Sequence, residues 1–141
     1  MFESSCLCGA NRISFTAEPV AKLRCHCLDC RKWTGSTFSN NLLVPLSGFK
    51  ILQGTLKTYT KEVESGHRIT NNFCGNCGST LYRMTTALAD GDGMAAVMIG
   101  CVDGMQMMEE AKPEKEVFVR NRPKWMAPVE GAEQVDGIWR P

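Results

Sequence analysis

Seven of the eight cysteines in this 141-residue chain fall into three tight groups: Cys6 with Cys8, Cys25 with Cys27 and Cys30, and Cys74 with Cys77. Only Cys101 stands alone. Thiols one and two residues apart can turn into a single tetrahedral shell, so the spacing reads as metal ligation. A lone Cys-x-x-Cys could instead be a redox pair or chance; the clustering of seven thiols favours metal. Met1–Cys6 carries neither the basic flank nor the apolar stretch of a secretory signal. A cytoplasmic, reducing setting is therefore expected, in which disulfides are rare.

The bulk numbers exclude several other classes. An apolar fraction of 43% and a charged fraction of 22% suit one globular domain with its own core. A net charge of +1 leaves no basic excess for nucleic acid, and no apolar run reaches membrane-spanning length. The expected partners are small molecules, and the sequence is silent on oligomeric state.

Alternation along the chain predicts mainly β structure with little helix. Strands are expected over 12–17, 20–24, 37–44, 67–73, 79–84 and 117–119. Residues 49–52 and 56–60, either side of Gln53-Gly54, read as a hairpin. Leu28–Trp33 is expected to make one helical turn, ended by Thr34-Gly35-Ser36. After a glycine-rich turn at Asp90–Gly93, Met94–Val102 reads as a buried central strand. The methionines at 105, 107 and 108 read as gap-filling core. One zinc-binding domain is expected over residues 2–126, with an irregular tail over 127–141 packed on or beside it.

Seven thiols divide most naturally into four and three. Cys6, Cys8, Cys74 and Cys77 would complete a tetrahedron and leave no position for substrate, a structural zinc site. Cys25, Cys27 and Cys30 would hold a second zinc with one position vacant. A rival partition makes Cys101 the fourth ligand and that site inert. His26 could also ligate, although a residue between two ligands normally points away from their metal. An open site of three thiolates is a weak Lewis acid and suits a soft fourth partner better than water. A small thiol captured there as thiolate could meet an electrophile. Arg31, Lys32 and Arg68 are the candidate receivers of that ligand's carboxylates, and Thr34, Ser36 and His26 could handle protons.

Cys6-x-Cys8-Gly9, the Cys25–Ser36 loop, and Phe73-Cys74-Gly75-x-Cys77-Gly78-Ser79-x-Leu81 together resemble the glutathione-dependent formaldehyde-activating enzyme family, whose domain is shared with centromere protein V. The likeness runs from residue 6 to about 84, with a weaker echo in Val117-Phe118-Val119 and Trp125. It implies an Mss-four-like β fold with zinc-ribbon-type knuckles, a structural zinc on the four cysteines and a catalytic zinc on the three. It further implies glutathione as co-substrate, joined to formaldehyde as S-(hydroxymethyl)glutathione, a carbon–sulfur lyase reaction in reverse. Three departures concern the substrate more than the fold: Asn71-Asn72 replaces a basic residue, Glu116 a histidine, and Glu130-Gly131-Ala132-Glu133 an Asp-Gly-x-Pro segment. The leading expectation is a lyase acting on glutathione and an aldehyde or on a glutathione conjugate. The alternatives are a non-enzymatic zinc-ribbon binding or chaperone module and a glutathione carrier.

Overall fold

The computed structural model describes residues 1–16, 18–63, 66–88 and 93–139. Apart from Gly93, the expected glycine-rich turn lies outside these residues, as does Ala17 at the end of the first expected strand. In chain order the elements are β1 (Phe2–Ser5), β2 (Arg12–Phe15), β3 (Ala21–Cys25), α1 (Leu28–Thr34), β4 (Ser39–Pro45), β5 (Phe49–Gln53), β6 (Lys57–Glu62), β7 (Arg68–Phe73), β8 (Thr80–Thr85), β9 (Met94–Met98), α2 (Met105–Glu110), β10 (Lys115–Val117) and β11 (Glu133–Val135). The protein is mainly β. No helix among the described residues is long and apolar enough to cross a membrane.

Two sheets share the strands. One has the order β1-β2-β5; the other runs β11-β10-β3-β4-β9-β8-β7-β6. The large sheet is antiparallel except at one end, where β10 lies parallel to both β3 and β11. Successive side chains in a strand point to opposite faces, and here the two faces have different fates. Leu42, Val44, Ala95, Val97 and Tyr82 meet Ile13 and Phe15 of the small sheet in the main core. Each fully buried Val, Leu, Ile or Phe among them contributes about 1.5–3 kcal/mol. The opposite face carries Leu23, Leu43 and Ala96 in a separate, smaller apolar cluster that Trp139 also touches.

The expected hairpin does not form. Phe49 pairs with Phe15 and Ile51 with Ile13 in the small sheet, whereas Tyr59 pairs with Asn71 in the large one. Composition explains the split. Phe49 packs edge-on against Tyr82 at 4.6 Å, while β6 is exposed at every position and suits a sheet edge. Gly54, at φ +83°, makes the crossing; a Cβ there would lie 2.4 Å from the Ala10 carbonyl oxygen.

Met94–Val102 is a central strand only as far as Met98. Ile99–Cys101 then tightens into a 3-10 turn around Gly100, and Val102 bridges to Ser4. The expected strand at 117–119 is instead Lys115–Val117, because Phe118 turns into the left-handed region at φ 55°. Within 127–139, β11 adds a short strand beside β10. Helix α1 matches its expected turn closely. The Cys27 sulfur caps it by accepting from the Cys30 N–H, and Gly35 ends it at φ 64°.

Candidate metal centres and the adjoining cavity

The four-cysteine group is assembled from two distant turns. Cys6 and Cys8 lie between β1 and β2, and Cys74 and Cys77 lie between β7 and β8. The Cys6 and Cys8 sulfurs are 3.6 Å apart, and those of Cys8 and Cys74 are 3.7 Å apart. With zinc–sulfur bonds of about 2.3 Å, a tetrahedral shell has edges of about 3.8 Å, so the spacing fits zinc. Backbone N–H groups support the sulfurs: Asn11 donates to Cys6 at 3.3 Å and Asn76 to Cys74 at 3.4 Å. The Ser79 hydroxyl and backbone pull the Cys77 thiol down to about 5. Since β1–β2 belongs to one sheet and β7–β8 to the other, this shell would clamp the two sheets together.

The three-cysteine group is local. Cys25 ends β3, Cys27 caps α1, and Cys30 lies in the first turn of that helix. Their sulfurs lie within 4.8 Å of one another. Arg83 reaches in from β8, its Nη1 donating to the Cys30 sulfur at 3.0 Å and its Nη2 to Asn41 Oδ1 at 3.3 Å. Its guanidinium lies over the Trp33 ring at 4.7 Å.

Charge in this group is short of what three thiolates need. Cys25 and Cys27 donate to Cys30 and draw its pKa far down; Arg83 assists, against the cost of burial. Cys25 is pushed well up, because its proton bonds the other two sulfurs and it is buried. Cys27 accepts from Cys25, which lowers its pKa, but its contact with Cys30 and its burial leave it raised. Burial works against the Arg83 charge, and the neighbouring thiolates outweigh it and raise its pKa. Arg83 brings a single positive charge to three sulfurs. A cluster of three thiolates would gain from the further positive charge that a divalent metal supplies.

Cys101 does not complete this shell. Its sulfur donates to the Thr80 carbonyl at 3.2 Å, and burial holds its thiol up at about 11, reinforced by charge on Cys6 and Cys77 of the other group. His26 points away from its flanking cysteines' cluster. It is fully buried, and its Nε2 pairs with Glu116 Oε1 at 2.8 Å. The other oxygen of Glu116 accepts from the Val129 N–H at 2.7 Å and from Gln134 Nε2 at 2.8 Å. This binds the loop holding the three thiols to the C-terminal segment. Thr34 donates to the Cys30 carbonyl at 2.7 Å and accepts from the Ser36 N–H at 3.1 Å, both helix-end contacts.

A cavity of about 660 Å³ opens beside Cys25 and Cys27, with Arg83 and Asn41 in its wall. Thr34, Ser36, Arg31 and Arg68 do not line it; its other basic residues are His67 and Arg120. Lys32 lines a second cleft of about 540 Å³, together with Lys61, Trp33 and Asn71. The two spaces share Asp29, Val63 and Ile69 in their walls. Trp33 Nε1 and Asn71 Oδ1 are buried without a partner, an unused donor and an unused acceptor at the second cleft. Sequence reasoning missed Arg83, Asn41 and Trp139. The signal for Arg83 was a charged residue inside an otherwise apolar strand, Leu81-Tyr82-Arg83-Met84. It registered Glu116 only as a departure from a histidine.

A mainly β fold carrying one four-thiol and one three-thiol group defines a class of cysteine-rich, metal-type domains. The profile of the family described as glutathione-dependent formaldehyde-activating enzyme matches residues 1–121, and the chain belongs to that family. No curated protein matches the chain. Among solved structures, it is similar to a Rhodobacter sphaeroides protein determined by structural genomics, at 20% identity and a TM-score of 0.56, covering 72% of this chain and 88% of that one. That likeness concerns the fold alone.

Proposed function

We propose that this chain is a zinc-dependent carbon–sulfur lyase that joins glutathione to an aldehyde, or releases it from such an adduct. The observation that carries the reading is the three-thiol group beside a cavity that Cys25 and Cys27 line, with a buried arginine on Cys30 and no fourth protein ligand among the described residues. Cys25, Cys27 and Cys30 would hold zinc, which when bound supplies a site for the glutathione sulfur as thiolate. Cys6, Cys8, Cys74 and Cys77 would hold a second, structural zinc.

The chain's own residues then have separable tasks. Arg83 balances the charge of the Cys30 sulfur and fixes it through Asn41. The second cleft suits the peptide arm of glutathione, with Lys32 for a carboxylate. The Glu116–His26 pair orients the thiol loop from behind. A binding module would need only the four-thiol shell, and the charged, cavity-facing second group supports an enzyme instead.

The test is turnover. Exchange between formaldehyde and S-(hydroxymethyl)glutathione, followed by NMR magnetisation transfer at limiting enzyme, is expected to accelerate with the zinc-loaded protein and to return to background with Cys30→Ala. Tight glutathione binding without acceleration would favour the carrier reading.

A further inference from the structure

The cavity beside the thiols offers far more room, and more apolar wall, than a one-carbon aldehyde fills. Its volume of about 660 Å³ falls within the roughly 300–1,000 Å³ of sites that enclose drug-sized ligands. Leu23, Leu43 and Ala96 form its floor, and Val117, Phe118 and Trp139 stand in its walls. This is the sheet face that the small sheet leaves uncovered; Leu23 and Leu43 are buried there with Trp139 packed alongside, while Met94 and Ala96 are only half-buried. A tripeptide with two carboxylates would be poorly served there. Arg83 is committed to Cys30 and Asn41, Arg120 reaches Asp136 at 3.4 Å, and His67, the remaining basic residue in the wall, lies 3.5 Å from the Thr86 hydroxyl. The neighbouring cleft is where the lysines collect. Phe118 adds a second sign. It alone among the described non-glycine residues has a positive φ, 55°, yet it is bulky. Such strain, of order 1–3 kcal/mol, persists where surrounding structure fixes a side chain for use; here it sets an aromatic ring in the cavity wall.

We infer that the carbon partner of the thiol is a bulky, largely apolar group seated over Leu43 and Ala96, as in a medium-chain or aryl aldehyde or the adduct made from one. The inference rests on the proposed function and names the substrate class for the same site. The chemistry balances without any co-reactant. Addition forms one carbon–sulfur bond, opens the carbonyl π bond and leaves the thiol proton on the carbonyl oxygen; cleavage returns all three.

Binding of S-methylglutathione and S-hexylglutathione to the zinc-loaded protein, measured by calorimetry, tests the idea independently of turnover. Each buried methylene is worth about fourfold in affinity, so the hexyl compound, with five more of them, is expected to bind on the order of a thousandfold more tightly when all five are buried. Ala96→Phe, which fills the floor, is expected to erase at least about tenfold of that preference. Equal affinities, a preference for the methyl compound, binding of neither, or a hexyl preference indifferent to Ala96→Phe would each overturn the inference. The wild-type comparison decides the matter even if the variant does not fold. Turnover is scored separately, with formaldehyde and hexanal. A hexyl preference sensitive to Ala96→Phe, with no aldehyde turned over, would sink the proposed reaction and leave the cavity assignment standing. Formaldehyde turnover with no hexyl preference would do the reverse.

Discussion

The two thiol groups use the same ligand at nearly the same spacing, yet the fold gives them opposite surroundings. Cys6, Cys8, Cys74 and Cys77 come from turns belonging to two sheets, and nothing but protein is needed to complete their shell. Cys25, Cys27 and Cys30 come from one strand-to-helix junction, lean on a buried arginine and border a cavity. Ligand identity therefore does not decide the role. On the proposed reading topology does: a shell drawn from distant segments would hold the fold, and one drawn from a single loop would leave a side free.

Removing a ligand from each group is the strongest way to break this contrast. Cys74→Ala would open the shell proposed to clamp the sheets. Structural zinc is worth about 10–16 kcal/mol in small domains, more than most domains' entire stability of about 5–15 kcal/mol. Circular dichroism should therefore show no cooperative melt for this variant. Cys30→Ala should keep a cooperative melt while turnover falls by at least about 10³-fold. Equal damage to both variants' folding would erase the distinction.

Substitutions behind the thiol loop sharpen it. Glu116→Gln weakens a fully buried pair, and breaking such pairs costs about 3–5 kcal/mol when a charge is left alone; a neutral amide should cost about 2 kcal/mol. Burial raises the Glu116 pKa, but bonds from Gln134, His26 and Val129 outweigh this and lower it below 4.5. A lowered carboxylate stabilises the fold above its unfolded pKa, and that stability is lost as pH falls through the native value. Denaturant titrations from pH 6 to 3 should show this acid-side loss in the wild type and a shallower one in Glu116→Gln.

Arg83→Met removes a charge-assisted bond to Cys30, which is worth about 1.5–3 kcal/mol. A fall of about tenfold to a hundredfold in kcat/KM is expected, with the four-thiol group intact by metal content. The smallest effects belong to Arg31→Ala and Arg68→Ala. Both residues are exposed and neither lines either space, so KM for glutathione should change by less than about twofold, the scale of surface charges. Lys32→Ala should change it more.

The sequence carried the mainly β class and the two thiol groups because cysteine spacing is a local signal. It carried α1 for the same reason: a capping thiol and Gly35 lie within eight residues of each other. What it missed is non-local. The 49–52 and 56–60 strands look like a hairpin by proximity, and only the demand of Phe49 for the core sends them to different sheets. Arg83 meets Cys30 across 53 positions, and Glu116 meets His26 across 90. Neither pairing leaves a periodic trace. The exposed cations on α1 and β7 drew attention because charge is easy to see, whereas the cavity lies over apolar residues that read as core.

Cobalt substitution followed by glutathione titration measures the contrast between the two groups most directly. Two cobalt ions per chain are expected, one for each group. Glutathione should then alter the visible spectrum of one ion only, and that response should vanish in Cys30→Ala while the other ion's bands persist. A single bound cobalt, or a two-cobalt protein whose spectrum ignores glutathione, would contradict the division into a closed and an open site.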